Sequence, residues 1–550
     1  MTIHLSIILF WPLALALLAA LAPRRLAAAV GLAGALVPLG YAVAMLLDFE
    51  AGGGLQYVTS DRWIEELGIR YALGVDGLSL WLIALTALLF AASFLWITVR
   101  PVERPKLFAF QLALAETAVL GAFMAQDLAL FVLFFDLMLI PFAFLTLGWG
   151  GPERRAATLK FFIYTLVGSL LMLAAAVATA VLARQQTGGE LTFALGDLAT
   201  IELPESTQRW LVAAFALAFL IKMPLFPFHG WMPDAYRQMP LPALAVFSAV
   251  LSKVAAYGFL RIVMPLFPEG VVDLQLAILI VALVSILYGS AMAFTQTEIR
   301  LILGYSSMAQ LGFIVLGVFA LDDRAAGAQG GLLQMVSHGL VVAPLFFIAL
   351  LLSERAGGSE NIKDMGGIAG RAPVLASLFL ITALATLAIP GSANFAGEFL
   401  ILLGLFKTKL ALAVIAFTGV ALASVYVLRA FIRSVHNRQA PDVSGRDLRL
   451  RDGVLLVPLV LAILAFGIYP QAALTHSEDA VARSIERPRA VIAPPAPPPP
   501  ALEPLIPGAP APPGQPAEPV AGGEAEPVPV PVQPEEQEGQ SVPIEPEATP

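Results

Sequence analysis

A lysine inside an apolar run is the feature of this sequence that most needs a chemical explanation. Lys222 lies in the stretch LAFLIKMPLFPFHGWMPDA and is followed closely by Pro224 and Pro227. A lysine near the centre of a bilayer costs about 2.5 to 3.5 kcal/mol, so it normally has a partner or a water path. Each proline lacks the N–H that would bond a carbonyl one turn earlier, which leaves carbonyls free beside the lysine. The pattern indicates a hydrated ion path; the alternative is a lysine that reaches out from a helix end.

Further ionisable residues lie deep inside other apolar runs. Asp136 lies about 13 Å into one candidate helix and Lys253 about 18 Å into another, beyond the reach of their side chains. His338 comes about ten residues into a further run, and Glu398 follows the helix-breaking segment PGSAN. With Lys222 they place acids, bases and an imidazole at similar depth, which is the pattern of a proton relay.

These residue types suit reversible proton transfer. Burial disfavours the charged form of a lysine or a carboxylate, and an opposite charge nearby restores it. We therefore expect Asp136 close to Lys222 to keep the lysine charged, and their separation to release its proton. Static ion pairs between helices would give the same sequence, and His338 alone would also suit a structural histidine. Glu116, in a separate apolar run, is a weaker candidate, as a partner for a lysine.

Composition sets the class of protein. Of the 550 residues, 58% are hydrophobic and 13% are charged, and the mean hydropathy is +0.82, far outside the soluble range. The sequence therefore predicts an all-α polytopic membrane protein surrounded by the lipid bilayer. There is no cysteine and no HExxH pair among the five histidines, which excludes thiolate catalysis and iron–sulfur ligation. We expect no cofactor or metal on this chain and no binding of nucleic acid.

Apolar runs of about 20 residues predict about fourteen transmembrane helices. They cover approximately residues 3–22, 26–47, 77–99, 107–125, 128–148, 158–183, 209–226, 241–263, 273–295, 300–320, 329–352, 374–405, 409–431 and 453–473. Connections after the odd-numbered helices carry 19 Lys and Arg residues, whereas the opposite set carries eight when the tail is left out. The positive-inside rule makes the odd-numbered connections cytoplasmic and places both termini on the outer side.

The order of the helices predicts an internal repeat. The seventh helix breaks after Lys222 and the twelfth at Pro390, and each is the fourth member of a five-helix run. Because five is odd, the second run enters from the opposite side, as in inverted-repeat transporters. The predicted divisions are 1–106 for helices 1–3, 107–265 for repeat one, 266–433 for repeat two, 434–484 for helix 14 and its flanks, and 485–550 for a disordered Pro/Glu-rich tail.

Six segments resemble, in order and spacing, the antiporter-like subunits of the bacterial proton-translocating NADH:quinone oxidoreductase, respiratory complex I. They are FVLFFDLMLIPFAFLTLGWG, RRAATLKFFIYTLVGSLLML, FLIKMPLFPFHGWMPDA, LGYSSMAQLGFIVLGVFAL, GLLQMVSHGL and NFAGEFLILLG. The resemblance implies a multi-pass subunit of the bacterial inner (plasma) membrane, in contact with neighbouring antiporter-like and peripheral subunits. It also implies that NADH, FMN, iron–sulfur clusters and quinone belong to those partner subunits, whose electron transfer drives proton translocation here.

The resemblance assigns the relay to Asp136, Lys222, Lys253, His338 and Glu398. Complex I has three antiporter-like subunits, and two of them have lysine at the position of Glu398. The acid in this sequence therefore implies a resemblance to the third of these subunits.

Three positions depart from the family pattern. Asp136 replaces the usual glutamate and is one methylene shorter, which would lengthen its distance to Lys222. Gln310 replaces a histidine and cannot titrate, so proton transfer there would need water. Tyr236 replaces another histidine. None of these changes removes the lysines or Glu398, so we still expect proton pumping.

Other functions remain open for the same residues. A subunit of a multi-subunit cation/proton antiporter would use a similar relay with a sodium gradient, and a membrane-bound hydrogenase-type complex would share the fold. Sodium sensitivity separates the first from complex I, and co-purifying subunits separate the second. The intact midplane charges argue against a scaffold that does not pump.

Overall fold

The computed structural model describes residues 3–438, 443–444 and 446–493. Within these ranges, eleven helices are long and apolar enough to cross a membrane, and two shorter helices are also apolar. The predicted class, a mostly helical membrane protein, is therefore confirmed.

The described chain forms a helical bundle with one β-hairpin. The long helices are α1 (Leu5–Leu21), α2 (Ala27–Asp48), α3 (Leu80–Val99), α4 (Pro105–Met124), α5 (Leu128–Trp149), α6 (Arg154–Thr187), α7 (Glu205–Lys222), α8 (Leu241–Leu266), α9 (Pro268–Thr295), α10 (Ile299–Val318), α11 (Ala326–Arg355), α12 (Pro373–Thr386), α13 (Ala393–Thr408), α14 (Leu410–Val435), α15 (Leu450–Ile468) and α16 (Gln471–Ile492). The hairpin consists of β1 (Gln56–Ile64) and β2 (Ile69–Val75).

Two predicted helices are interrupted where the sequence contains helix breakers. α7 stops at Lys222, and the chain passes through an irregular segment into the short helix Met232–Gln238. The predicted helix 374–405 is two helices, α12 and α13. Between them lie Pro390, which has no N–H to continue a helix, and Gly391, whose φ of +86° strains any other residue.

α8 is irregular in a different way. It contains two π-helical stretches, Phe247–Leu251 and Phe259–Val263. Single π turns inside α-helices are frequent at functional sites, because they change which backbone carbonyls are engaged. Lys253 lies two residues after the first stretch. Every residue of α10 is buried, and α8 is buried except at Arg261 and Pro265, whereas most of α14 is not buried. The core of the bundle is therefore built around α8 and α10.

The β-hairpin lies in the connection between α2 and α3, which the sequence marks only as an acidic loop. Its two strands pair antiparallel. The backbone N–H of Arg70 donates to Asp127 Oδ2 at 3.1 Å. Asp127 Oδ1 accepts from the backbone N–H groups of Ala129 and Leu130 at the start of α5. One buried carboxylate thus caps a helix and attaches the hairpin to it.

The C-terminal boundary differs from the prediction. We expected the last helix to end near residue 473 and a disordered tail to begin at residue 485, but α16 runs to Ile492. Its apolar residues recur at helical spacing among charged ones, so no long apolar run marks it. The remainder of the predicted tail, residues 494–550, lies outside the described residues.

α16 is held by side chains that bond the backbone of other elements. Ser484 Oγ donates to the Leu260 carbonyl at 2.5 Å, and Arg487 donates to the carbonyls of Ala199 and Pro265 at 2.5 and 2.8 Å. Leu260 and Pro265 belong to the end of α8. Helix α16 therefore donates hydrogen bonds to carbonyls at the end of α8, the helix that carries Lys253.

We predict that a chain ending at Ala493 assembles like the full-length protein, because it retains every contact described above. A chain ending at Pro470 lacks α16 and loses the donors to the Leu260 and Pro265 carbonyls. We expect it to accumulate poorly, since a charged-donor hydrogen bond contributes about 1.5 to 3 kcal/mol. The amount of each subunit in membranes and in the purified assembly measures both effects. Equal loss of the two truncated chains would show that residues beyond 493 are also structural.

Candidate functional site

Lys222 is buried at the C-terminus of α7, with 1% of its surface exposed. Its Nζ donates to the Phe135 carbonyl oxygen on α5 at 2.9 Å and lies 4.1 Å from the centre of the Phe135 ring. A carbonyl dipole and the face of an aromatic ring both stabilise a positive charge. The lysine is therefore solvated by one residue of a neighbouring helix.

Asp136 follows Phe135 directly, so the carboxylate and the lysine are neighbours. The lysine bonds the Phe135 carbonyl, and the Asp136 carboxylate acts on it through its charge. Asp136 is half-buried, its Oδ1 is enclosed, and the Ser169 hydroxyl of α6 lies beside the carboxylate. Asp136 therefore lies near Lys222, as the sequence predicts, but the hydrogen bond of the lysine is to a backbone carbonyl and not to the carboxylate.

Lys253 is completely buried in α8. Its Nζ donates to the Ser248 carbonyl oxygen at 2.9 Å, within the first π-helical stretch of the same helix. The irregular turn thus supplies the acceptor that a buried ammonium group needs. The charge of Lys253 also acts on His338 of α11. The histidine is 2% exposed, and its Nδ1 is enclosed without a partner among the described residues.

Glu398 of α13 lies at the centre of a buried amide cluster. Gln310 Nε2 on α10 donates to Glu398 Oε1 at 2.9 Å. Gln334 Nε2 on α11 donates to Gln310 Oε1 at 2.6 Å and to Glu398 Oε1 at 3.4 Å. Ser337 Oγ donates to Gln334 Oε1 at 3.2 Å. Gln310 was a predicted site residue. Gln334 and Ser337 were missed although both lie in the segment GLLQMVSHGL, because the sequence does not show which charged group a glutamine or a serine faces.

One face of α10 connects the lysine of α8 to this cluster. Ser307 Oγ lies 3.3 Å from Ser248 Oγ, beside the carbonyl that binds Lys253. Gln310 is one turn further along the same face. A neighbouring residue of α10, Ser306, bonds the Tyr426 hydroxyl at 3.0 Å. A row of buried polar groups therefore runs from α8 across α10 to α13, with one helical turn between Ser307 and Gln310.

Tyr236 replaces the histidine that the resemblance leads one to expect, and its side chain lies near the α8 end of the polar row. It is 3% exposed and lies beside Ser248. Its hydroxyl can donate and accept a hydrogen bond at neutral pH.

The predicted residues fall into two groups. Lys222 and Asp136 form one, and the row from Lys253 to Glu398 forms the other. The Phe135 ring near Lys222 packs 5.7 Å from the Phe219 ring, which in turn lies 5.1 Å from the Phe259 ring of α8. This aromatic packing makes the surroundings of Lys222 apolar.

Glu116 does not have the lysine partner that the sequence suggested. It is completely buried in α4, and neither carboxylate oxygen has a hydrogen-bond partner among the described residues. Its place in the relay is not supported by a contact. The described residues also contain no cluster of three or more His, Asp or Glu side chains able to hold a metal ion.

A family model described as NADH:quinone oxidoreductase/Mrp antiporter, TM, matches residues 125–423, a range that contains both groups of charged residues. NADH-quinone oxidoreductase subunit M of Rhodobacter capsulatus is 36% identical over 486 residues, which is 85% of this chain and 93% of the relative. The chain belongs to the subunit M family of NADH-quinone oxidoreductase. The resemblance drawn from six motifs is thus confirmed.

The fold of this chain is similar to the folds of chains in two solved assemblies. The chain superposes on a chain of respiratory complex I from Thermus thermophilus with a TM-score of 0.80 and 32% identity, covering 88% of this chain and 99% of the other. It also superposes on a chain of the Mrp complex from Dietzia sp. DQ12-45-1b with a TM-score of 0.76 and 22% identity, covering 90% and 99%. The second likeness concerns the fold alone.

We predict that Gln334→Leu destabilises the protein by about 1 to 3 kcal/mol, because the Gln310 carbonyl oxygen then stays buried without its donor. Gln329→Leu is the matched control. It lies on the same helix and removes a similar bond, from Gln329 Nε2 to Ser477 Oγ at 2.7 Å, in which Glu398 takes no part.

Infrared spectroscopy distinguishes the two variants. The carboxyl stretching band assigned to Glu398 by its loss in Glu398→Gln should shift in Gln334→Leu and stay in place in Gln329→Leu. A band that moves in neither variant would contradict the coupling of Gln334 to Glu398.

Proposed function

We propose that this chain is a proton-translocating membrane subunit of NADH:quinone oxidoreductase. The observation that carries the proposal is the buried row from Lys253 through the α10 serines and Gln310 to Glu398. Ionisable residues inside a membrane are costly, so a row with Lys253 at one end and Glu398 at the other points to a function. Family membership supports the proposal, since the curated relatives carry the name of a subunit of this oxidoreductase.

Roles follow from the acid–base chemistry of each residue. Lys222, Lys253, His338 and Glu398 each have a group that can gain and lose a proton, whereas Gln310 and the serines position their neighbours. Gln310 donates to Glu398 Oε1 and so orients that carboxyl group, but it cannot carry the proton itself. Transfer past Gln310 therefore uses water or the serine hydroxyls.

The Lys222 group works as a charge sensor in this proposal. Its ammonium is bound to the Phe135 carbonyl, so Asp136 influences the lysine through its electric field. A change in the charge of Asp136 alters the stability of the lysine charge without breaking a bond. Glu116 is assigned only a tentative part, because it is buried without a charged neighbour that would couple it to a lysine.

The arrangement of the whole chain belongs to the same proposal. We assign fourteen membrane-crossing segments, two inverted five-helix repeats, cytoplasmic odd-numbered connections and both termini on the outer side. The break after α7 and the gap between α12 and α13 support the repeat, since each falls in the fourth helix of its predicted five-helix run. NADH, FMN, iron–sulfur clusters and quinone are assigned to partner subunits, and neighbouring antiporter-like subunits to the flanks of this one.

A subunit of a cation/proton antiporter is the second candidate, and the fold of the Mrp chain favours it. Purification of the tagged protein from its native membrane in mild detergent separates the two. Co-purifying NADH-dependent quinone reduction with flavin and iron–sulfur signals supports the oxidoreductase. An eluate without redox activity that exchanges protons for sodium in vesicles supports the antiporter.

We predict that Lys222→Ala lowers the rate of proton pumping about a hundredfold, within the range for loss of a proton-transferring group, while the complex stays assembled. Lys407→Ala is the control, because Lys407 is 35% exposed and its nearest carboxylate, Asp323, lies at 3.6 Å on the surface. Acidification of inverted membrane vesicles driven by NADH measures both variants. Full pumping by Lys222→Ala would remove this lysine from the relay.

A further inference from the structure

Two adjoining cavities open where the ends of three candidate membrane spans meet. Both are lined by the end of α3, the end of α11 and the first turn of α15, and their volumes are about 460 and 470 Å³. They share the lining residues Arg100, Glu354 and Arg451. Because the ends of membrane spans lie near the lipid headgroups, both cavities open at that level.

The cavity of about 470 Å³, which we call the arginine cavity, carries an excess of positive charge. Its charged lining consists of five arginines and three acids, namely Arg100, Arg355, Arg446, Arg449, Arg451, Glu354, Asp447 and Asp452. The sequence alone shows the same excess, since residues 433–452 contain five arginines and three aspartates and no other acid or lysine. The connection between α14 and α15 is therefore basic by composition.

The acids of the arginine cavity already have other partners. Asp452 is 2% exposed and accepts two hydrogen bonds from Arg100, at 2.8 and 3.1 Å. Glu354 forms an ion pair with Arg100 as well. Asp447 accepts from two backbone N–H groups at the start of α12, at 3.1 and 3.2 Å. One arginine thus uses two of the acids, and the start of a helix uses the third.

The other four arginines keep most of their charge uncompensated. Arg355 is 6% exposed and donates to three backbone carbonyls at 2.7, 2.8 and 3.1 Å, and none of these bonds goes to a carboxylate. Arg446 and Arg449 are exposed, and their guanidinium groups have no partner among the described residues. Arg451, with 39% of its side chain exposed, lies 3.6 Å from the Asp452 oxygen that Arg100 already binds.

The chemistry of this lining favours a phosphate group. A guanidinium group is planar, stays charged at physiological pH and binds two phosphate oxygens at once. Basic pockets at the ends of membrane spans bind acidic lipid headgroups. The neighbouring cavity adds apolar side chains, among them Trp96, Val102, Leu241 and Leu350. These suit the glycerol and the first carbons of an acyl chain, which a soluble anion or an acidic peptide does not have.

We propose that the arginine cavity binds the phosphate of an anionic phospholipid. Arg446, Arg449 and Arg451 donate to the phosphate oxygens, and the buried charge of Arg355 adds to the attraction. The glycerol end of the lipid lies toward the neighbouring cavity beside Trp96. The proposal does not depend on proton translocation.

Photo-crosslinking of the assembled complex tests the proposal. The tagged chain is purified with its native partner subunits and placed in phosphatidylcholine nanodiscs that contain a trace of a lipid probe. The probe is phosphatidylglycerol with a diazirine beside the glycerol, and phosphatidylcholine with the same diazirine is the matched zwitterionic probe. Labelled peptides are identified by mass spectrometry. We expect the phosphatidylglycerol probe to label the cavity peptides, 96–102 and 446–452, several-fold more than the phosphatidylcholine probe.

Variants assign this labelling to the accessible arginines. Arg446→Gln combined with Arg449→Gln should lower phosphatidylglycerol labelling about tenfold, because charge-assisted hydrogen bonds to the phosphate are lost. Arg451→Gln is tested separately, so failure of the double variant to assemble leaves a second measurement. Arg237→Gln is the control and should leave labelling unchanged. Arg237 is paired with Glu298 at 2.9 Å and lies at the same end of the bundle, since Arg300 of the neighbouring cavity donates to its carbonyl.

Salt and soluble phosphate identify the ligand. Raising NaCl from about 0.1 to 1 M shortens the Debye length from about 10 to 3 Å and should reduce phosphatidylglycerol labelling toward that of phosphatidylcholine. An excess of inorganic phosphate should leave most of the labelling in place, because it has no acyl chain. Complete competition by inorganic phosphate would assign the cavity to a soluble anion and overturn the proposal.

Equal labelling by the two lipid probes would also contradict the proposal, as would unchanged labelling of the assembled double variant. If an acidic segment of a partner subunit fills the cavity, neither probe labels peptides 96–102 and 446–452 in the wild-type complex. That result would replace the lipid with an interface between subunits.

Discussion

A buried charge in a membrane protein must find its solvation inside the bundle, and this constraint governs the placement of both central lysines. Each ammonium group binds a backbone carbonyl: Lys222 uses Phe135 of α5, and Lys253 uses Ser248 of its own helix. Both sites coincide with irregular helices, since α7 stops at Lys222 and α8 has a π turn before Lys253. For Lys253 the irregular turn itself supplies the acceptor, whereas the carbonyl that binds Lys222 belongs to α5 and not to the helix that breaks.

The enclosed position of α10 explains how distant charged helices become connected. A helix surrounded on all sides presents one face to α8 and another to α13, and its small polar residues can bond in both directions. Serine at two successive positions and Gln310 one turn later keep this path polar without adding a charge. The price in stability is small, because nearly every group in the row has a partner.

The sequence predicts the parts of this structure that depend on depth and on helix breakers. The burial of Lys222, Lys253, His338 and Glu398 follows from their distance to the nearest polar segment, and the breaks follow from proline and glycine. Gln334 and the contact of Lys222 with a carbonyl could not be predicted, because they depend on how helices rotate about their axes. The hairpin and α16 were missed for another reason: their apolar residues are spaced among charged ones, so an apolar-run criterion does not detect them.

Lys222 binds a backbone carbonyl, and Asp136 acts on it only through its charge. This arrangement changes how the lysine responds to nearby charges. The interaction energy of an ion pair in contact is lost when the contact breaks, whereas the interaction energy of two separated charges falls gradually with distance. Two unit charges about 6 Å apart still interact by about 3 kcal/mol at an effective dielectric constant of about 20. Asp136, one methylene shorter than glutamate, is half-buried on α5 with one carboxylate oxygen enclosed. In the proposed function, a change in the charge of Asp136 therefore reaches the lysine, which is held by a carbonyl that does not titrate, without any helix having to move.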